Sequence, residues 1–255
     1  MDRRSFVGLL GGMGAGLAAA AESEKRTRFY MVESFKLQAG TQASRLHSFV
    51  KGKLLPRASS VWSGPKIYLD ALVAPHMPQV LAIYGFTSLD ELWSVHNKTF
   101  ADPDVAKGFA DLESGPEPAF EWQDSMLLEA APYSPEITVE KREKPRIFEL
   151  RVYHSPTFRQ LGALHERFAG AEVKIFHRSG IHPILYSSTL IGPNSPNLTY
   201  LIPFDSLADR EKAWAAFGAD PEWVKVRKES VDKHGQISSV QNISLWKATD
   251  YSPVQ

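Results

Sequence analysis

Residues 146–154 (RIFELRVYH) begin the most regular pattern in the chain. Apolar and polar side chains alternate there and include β-branched and aromatic residues, which predicts a β-strand. Ser155 and Pro156 then have the residue types of a helix N-cap and first helical residue. Apolar residues recur at helical spacing from Leu161 to Phe168, so we expect a helix with one face packed on a sheet.

The pattern continues with a hairpin, a second helical region and a last strand. Apolar runs at 184–191 and 198–204 are separated by GPNSPN, which is typical of a hairpin. Ser206 has the residue type of a helix cap, and Asp220 followed by proline starts a further helix by the same logic. We expect a final strand over residues 238–247. The order βαββαβ predicts a ferredoxin-like unit.

The unit occurs twice, because the sequence matches itself at a constant offset of 118 residues. Positions 28–135 align with 146–253 without a gap and share 23 identities among 108 positions. Unrelated sequences of ordinary composition would share roughly 6–7. Residues 136–145 (EITVEKREKP) are charged, end in proline and are expected to form a linker.

A ferredoxin-like unit covers only one face of its sheet with helices, and an open apolar sheet face is an association site. The second copy in the same chain can cover that face. We therefore predict an α+β fold in which the two tandem units form an intrachain dimeric α/β-barrel.

Three segments of the second unit resemble the NIPSNAP family pattern. Residues 148–153 (FELRVY) resemble its E-L-R-x-Y first strand, residues 220–223 (DPEW) its D-P-x-W helix start, and residues 249–253 (TDYSP) its ending near D-Y-S. The first unit departs from this pattern, with MVESF at 31–35 and DPDV at 102–105. It resembles a diverged copy, which we interpret as more structural than functional.

The resemblance implies the dimeric α/β-barrel superfamily, which includes cofactorless monooxygenases and haem-handling proteins. It carries over no catalytic residues. The catalytic residues, if the protein has any, therefore stay unassigned at this point.

Residues 1–21 have the composition of an export signal. Arg3 and Arg4 precede Phe6, and a mildly apolar stretch then ends in small residues where a cleavage site is expected. The stretch is too short and too rich in glycine to favour a bilayer span. It resembles a twin-arginine signal and predicts an exported protein, periplasmic or extracellular, with no stable membrane span after cleavage. An uncleaved N-terminal anchor is the alternative.

The overall composition limits the classes of function. The chain has 29 basic and 29 acidic residues, so it lacks the basic excess that nucleic-acid partners favour. Cysteine is absent, which removes disulfides, thiolate nucleophiles and cysteine metal sites. The eight histidines show no H-x-H or H-E-x-x-H spacing, so we predict no metal site.

Candidate ligand-binding residues lie on the first strand of the second unit. Glu149, Arg151 and Tyr153 share one face of this strand, and Phe148 and Leu150 share the other. We expect the apolar face to meet the helices and the polar face to point into the space between the two sheets. Two interpretations follow: a barrel interior that binds a small ligand, or a buried polar network that fixes how the units dock.

Glu33 of the first unit aligns with Arg151 of the second. If the uncovered sheet faces meet, these opposite charges are expected to approach each other across the pseudo-twofold axis. The same residues are ligand-binding candidates if they stay apart.

Two further pairs of candidates recur at the 118-residue offset. His47 and His165 occupy equivalent places on the first helix of each unit. Each is interpreted either as a pH switch or haem ligand, or as a half-buried residue that packs under the edge of the sheet. Tyr68 and Tyr186 are interpreted as amphipathic residues of the barrel wall.

Two functions of different classes remain open. The first is a non-catalytic module that binds a small hydrophobic or amphipathic molecule, or a partner protein, in or around the barrel. The second is a cofactorless monooxygenase-like or haem-handling enzyme with Arg151, Tyr153 and His165 near the chemistry. No cofactor is evident from the sequence, although haem is not excluded. The sequence also leaves open whether the internal pseudo-dimer associates into larger assemblies. An enzyme site needs a cavity of about 300 Å³ or more.

The paired arginines yield the first testable prediction. Replacing Arg3 and Arg4 together by lysine should leave the precursor inside the cell with its N-terminus intact, because the twin-arginine route depends on that pair. Cell fractionation with N-terminal sequencing measures the outcome. Export of the double variant at the normal level would contradict the assignment.

Overall fold

The described structure, a computed structural model, covers residues 26–115 and 117–255. The expected export signal, residues 1–21, lies outside the described residues. The first unit consists of β1 (Phe29–Lys36), α1 (Gln42–Phe49), a π-helical segment (Val50–Leu54), α2 (Leu55–Val61), β2 (Lys66–Val73), β3 (Gln79–Phe86), α3 (Leu89–Phe100), α4 (Pro103–Glu113) and β4 (Trp122–Ala130).

The second unit repeats this order. It consists of β5 (Ile147–His154), α5 (Phe158–Arg167), a π-helical segment (Phe168–Glu172), α6 (Val173–Arg178), β6 (Leu185–Ile191), β7 (Asn197–Phe204), α7 (Leu207–Ala219), α8 (Pro221–His234) and β8 (Val240–Ala248). Strands β3 and β7, strands β4 and β8, and the two π-helical segments have bounds 118 residues apart. Each π-helical segment contains the glycine that the repeat shares, Gly52 or Gly170.

The eight strands form one closed antiparallel barrel. Within the first unit, β1 pairs with both β3 and β4, and β2 pairs with β3; β5 to β8 repeat this arrangement. The units are joined where β2 pairs with β8 and β4 pairs with β6. The order around the barrel is β1-β3-β2-β8-β5-β7-β6-β4. The predicted fold class, two tandem ferredoxin-like units forming an intrachain barrel, is confirmed.

Apolar side chains fill the interior of this barrel. One buried cluster draws on all eight strands, and it includes Val32, Leu69, Phe148, Leu150 and Trp246. Separate clusters lie between each half of the barrel and its own helices. The barrel interior is therefore a packed core that joins the two units.

Side-chain caps start α3, α4, α7 and α8, and the caps at Ser206 and Asp220 are the expected ones. Ser88 and Ser206 accept hydrogen bonds at the starts of α3 and α7, and Asp102 and Asp220 do so before α4 and α8. None of the helices in the described part of the chain is long and apolar enough to cross a bilayer.

The expected start of α5 was wrong by two residues. Thr157, not Ser155, is the N-cap, and its hydroxyl accepts a hydrogen bond from the Gln160 backbone N–H at 3.2 Å. The Ser155 hydroxyl instead donates to the buried Ile237 carbonyl at 2.6 Å. A long-range backbone acceptor therefore takes the hydroxyl that the local pattern assigned to the helix.

Each unit ends in a Tyr-Ser-Pro segment that docks on the other unit. Tyr251 closes the second unit, and its hydroxyl lies 2.8 Å from Nδ1 of His47 in the first. Tyr133 closes the first unit and lies at the same distance from Nδ1 of His165 in the second. The two contacts are reciprocal, so both histidines hold the pseudo-dimer together.

The serines of these segments make a second reciprocal pair of contacts. The backbone N–H of Tyr68 donates to Ser252 Oγ at 3.1 Å, and that of Tyr186 donates to Ser134 Oγ at 2.9 Å. Ser134 and Ser252 are both buried. The D-Y-S ending noted in the sequence is thus a docking segment between units.

Removing the Tyr133 hydroxyl tests this docking. We expect Tyr133→Phe to lower the free energy of unfolding by about 1 kcal/mol, because the His165 ring loses its Nδ1 partner. Tyr186→Phe is the matched control, since the buried Tyr186 hydroxyl has no hydrogen-bond partner and its loss should be neutral or stabilising. Chemical denaturation measures both variants. Equal effects would show that the Tyr133 contact does not stabilise the docked units.

Candidate functional site

Glu149, Arg151 and Tyr153 face the helices of the second unit, so the expectation that they point between the sheets was wrong. The Arg151 guanidinium lies 3.6 Å from the ring centre of Trp214 on α7, and its Nη1 donates to the Tyr153 hydroxyl at 2.6 Å. Phe148 and Leu150 take the barrel interior instead. The closed interior excludes water on all sides, so it favours the apolar face, whereas the helix layer brings partners for the charges.

The expected ion pair between Glu33 and Arg151 was also wrong. The two residues occupy equivalent places, but each lies beneath the helices of its own unit. Arg151 pairs with the fully buried Glu149. Glu149 also accepts hydrogen bonds from Arg210 and, at 3.2 Å, from Trp214 Nε1. The carboxylate is therefore neutralised inside the second unit.

Aromatic rings fill the space beside this network. Phe176 packs edge-on against Trp214 and Phe217, with ring centres 5.6 Å and 4.7 Å apart. Phe168 and Tyr200 extend the same cluster. The helix layer of the second unit is a packed aromatic core.

The first unit has a cavity in the equivalent place. Where the second unit has Phe176, Trp214 and Phe217, the first has the smaller Ala58, His96 and Thr99. The cavity measures about 110 Å³, and its wall contains all three of these residues. The first unit was interpreted as the more structural copy, yet it is the copy with the open space.

Aromatic side chains form much of the cavity wall. Trp62 stacks on Phe86 with ring centres 4.5 Å apart. The Lys66 ammonium sits 4.0 Å from the Trp62 ring centre and donates to the Trp62 and Gly64 carbonyls at 2.9 Å. Burial lowers the pKa of Lys66 to about 8. These contacts hold the indole ring in place as one wall of the cavity.

Three oxygen-bearing side chains of the wall have unmet hydrogen-bonding capacity. Thr99 Oγ1 is buried without a protein partner, and the buried Tyr68 hydroxyl meets only the hydroxyl of Tyr84. The half-buried Glu33 accepts one hydrogen bond, from Gln123 Nε2 at 3.1 Å. No Lys, Arg or His of the described residues forms an ion pair with Glu33, and burial raises its pKa to about 6. Burial also raises the pKa of Tyr68, which keeps its hydroxyl protonated.

The cavity opens along α3. His96 and Phe100, which both lie on this helix, are its exposed wall residues. Trp93 stacks on His96 with ring centres 5.6 Å apart and is itself 62% exposed. Aromatic side chains of α3 therefore form one side of the mouth, which we call the aromatic rim.

The remaining predicted residues lie away from the cavity. His47 contacts Asp70 Oδ1 through Nε2 at 3.1 Å, and His165 contacts Ser188 Oγ through Nε2 at 2.7 Å. Burial lowers the pKa of His165. Since Nδ1 of each ring is held by a tyrosine, neither histidine has a free nitrogen for an iron ion, and these residues do not fit haem ligation. Tyr186 lies in the core of the second unit.

Of the predicted site residues, the structure thus brings together Glu33 and Tyr68 at the cavity, and Glu149, Arg151 and Tyr153 in the buried network. Sequence reasoning missed Ala58, Trp62, Tyr84, His96 and Thr99. The signal for three of them was present in the repeat, where large aromatic residues of one half align with smaller residues of the other.

Among the described residues, no group of three or more His, Asp or Glu side chains has the geometry of a metal site.

Comparison with known proteins supports the fold. Residues 148–253 match the NIPSNAP family model. A "putative monooxygenase" from Lactobacillus acidophilus NCFM is similar in structure, with a TM-score of 0.55, 9% identity, and coverage of 88% of this chain and 94% of that one. An anthrone oxidase-like protein has a TM-score of 0.53, 13% identity, and coverage of 89% and 93%. No curated protein matched the sequence.

These two structures each cover nearly nine-tenths of this chain, so the likeness extends over both units. At such identities the likeness shows the fold, and the family match covers the second unit. The cavity lies in the first unit, outside the matched residues, so its function must be argued from its own geometry.

Glu33 yields a prediction for stability. Its folded-state pKa of about 6 exceeds the ordinary value of 4.5, so its ionised form destabilises the fold above pH 6, and this penalty disappears below pH 4.5. We expect Glu33→Gln to raise the free energy of unfolding by about 1–2 kcal/mol at pH 7 and to leave it unchanged at pH 4. Denaturation at the two pH values measures this.

The matched control is Glu129→Gln, which changes an exposed carboxylate on β4. It should leave the free energy of unfolding unchanged at both pH values. A loss of stability in Glu33→Gln at pH 7 would show that the Glu33 carboxylate has a cationic partner in solution.

Proposed function

We propose that the protein binds a small, mainly apolar molecule that carries one polar group, in the cavity of the first unit. One observation carries the proposal: an apolar cavity contains the buried Thr99 hydroxyl without a partner, the Tyr68 hydroxyl that meets only Tyr84, and a carboxylate without a counter-ion. Buried polar groups are normally hydrogen-bonded, and leaving them unpaired costs about 1–3 kcal/mol each. A bound molecule that pairs them removes this cost.

The size of the cavity limits the ligand. Pockets for drug-sized ligands measure about 300–1,000 Å³. An engineered apolar cavity of about 150 Å³ takes up benzene. A space of about 110 Å³ with an open mouth therefore suits one ring or a short branched chain, with any further atoms lying along the aromatic rim.

We also propose that this binding takes place outside the cytoplasm. The support is the paired Arg3 and Arg4 before a mild apolar stretch.

A second candidate function is enzymatic. The carboxylate of Glu33, with a pKa raised to about 6 in an apolar cavity, has the properties of a general base near neutral pH. Similar folds occur in proteins described as monooxygenase and anthrone oxidase-like. The candidate ranks second because a three-ring substrate such as anthrone exceeds the cavity. Dioxygen uptake with anthrone that Glu33→Gln abolishes would place it first.

The proposed binding is tested by filling the cavity with the residue that the second unit uses. Ala58→Phe places a ring where Phe176 packs in the other copy, so the variant should fold and lose ligand binding. The probe is benzyl alcohol, and its binding is followed by saturation-transfer NMR and by tryptophan fluorescence, to which Trp62 contributes. We expect saturable binding to the wild type and at least roughly 10-fold weaker binding to Ala58→Phe.

Ser59→Phe is the control, because Ser59 is the next residue on α2 and is exposed. It adds the same ring and should leave binding unchanged. Equal binding of benzyl alcohol to wild type and Ala58→Phe would overturn the proposed function.

A further inference from the structure

The cavity carries an unbalanced negative charge. In the second unit, the carboxylate of Glu149 is paired with two arginines, Arg151 and Arg210. The first unit has Met31 and Leu92 at the places of Glu149 and Arg210, and the carboxylate of Glu33 at the place of Arg151. The space between sheet and helices in the first unit therefore lacks counterparts of Arg151 and Arg210 but contains the Glu33 carboxylate.

We propose that the ligand of the cavity is an organic cation, a protonated amine attached to an apolar group of about one ring. This inference rests on the proposed function and names the chemical class that the same cavity takes. The ammonium group would lie between the Glu33 carboxylate and the aromatic wall.

The second unit holds a cation in the same way. Its Arg151 guanidinium stacks on Trp214 at 3.6 Å and pairs with a carboxylate in the equivalent layer between sheet and helices. An ammonium group in the first unit would meet Glu33 together with Tyr68 and Tyr84, which line the cavity. Cations over aromatic faces gain about 0.5–2 kcal/mol, most where water is excluded.

The hydrogen-bonding groups favour the same class of ligand. An ammonium group has three donors and no acceptor. The Glu33 carboxylate can only accept, and the hydroxyls of Tyr68 and Thr99 can accept as well. A ligand with a carboxylate would instead meet the like charge of Glu33. A ligand with hydrogen-bond acceptors and no donors would remove water from the Glu33 carboxylate without replacing its hydrogen bonds.

The groups that face Glu33 determine how pH affects binding. From the sheet these are Tyr68 on β2, Tyr84 on β3 and the neutral Gln123 on β4, and from the helices His96 on α3. The cavity wall contains no lysine or arginine. Burial raises the pKa of both tyrosines, so they stay neutral. Affinity for a cation should therefore fall as the pH drops through about 6 and Glu33 becomes protonated.

The experiment compares three probes of nearly the same shape: benzylammonium, benzyl alcohol and benzoate. Titration calorimetry at pH 7.5 and pH 5 gives the affinities, and benzylammonium keeps its charge at both values. We expect benzylammonium to bind at least roughly 10-fold more tightly than benzyl alcohol at pH 7.5, with most of that advantage lost at pH 5. Benzoate should bind most weakly at pH 7.5.

Three variants test whether the preference for benzylammonium and its pH dependence come from Glu33. Glu33→Gln should remove the advantage of benzylammonium over benzyl alcohol, whereas the exposed Glu129→Gln should leave that advantage unchanged. His96→Gln removes the imidazole from the cavity wall, so pH dependence that persists in this variant belongs to Glu33. Loss of the pH dependence in His96→Gln would contradict its assignment to the Glu33 carboxyl.

The outcomes separate the two proposals. Benzyl alcohol or benzoate binding as tightly as benzylammonium, with all binding lost in Ala58→Phe, would overturn the cation inference and leave the cavity as the binding site. Binding of all three probes that Ala58→Phe does not alter would overturn the proposed function itself.

Discussion

Closure of the barrel is the constraint on which the rest of the structure depends. Each unit alone has a sheet with one face covered by helices and two free edge strands. Pairing β2 with β8 and β4 with β6 removes all four edges and encloses the uncovered faces in one interior. That interior has no route for water, so apolar side chains such as Phe148 and Trp246 occupy it. Polar residues of the strands are left to the helix layers, and the candidate chemistry lies there.

The sequence predicted the fold well because the fold depends on local periodicity and on a repeat that can be counted. The unit order, the helix caps at Ser206 and Asp220 and the closure of two units all follow from such patterns. The faces of β5 were assigned the wrong way round, because alternation separates Glu149 from Phe148 without stating which one faces the helices. Closure decides that question, and closure pairs residues that are far apart in the sequence, such as Leu128 with Thr189 and Leu69 with Ala248.

The cavity could not be predicted from the sequence, and the reason is a different one. A cavity is a difference between the volume that the backbone encloses and the volume that side chains fill, and the sequence shows only the second. Ala58 and Thr99 are unremarkable in a helix. They become informative beside Phe176 and Phe217, which show how much space the same backbone offers. An internal repeat thus supplies its own reference for packing.

The covalent link between the copies is what permits this asymmetry. In a dimer of identical chains, a change from phenylalanine to alanine would empty both helix layers and cost stability twice, at about 3–5 kcal/mol for each ring. In a tandem chain, the second unit keeps its aromatic core and its paired Glu149, Arg151 and Arg210. Reciprocal contacts of Tyr133 and Tyr251 couple that well-packed half to the other. The first unit can therefore keep an open space and an uncompensated carboxylate that neither copy of a symmetric dimer would tolerate as easily.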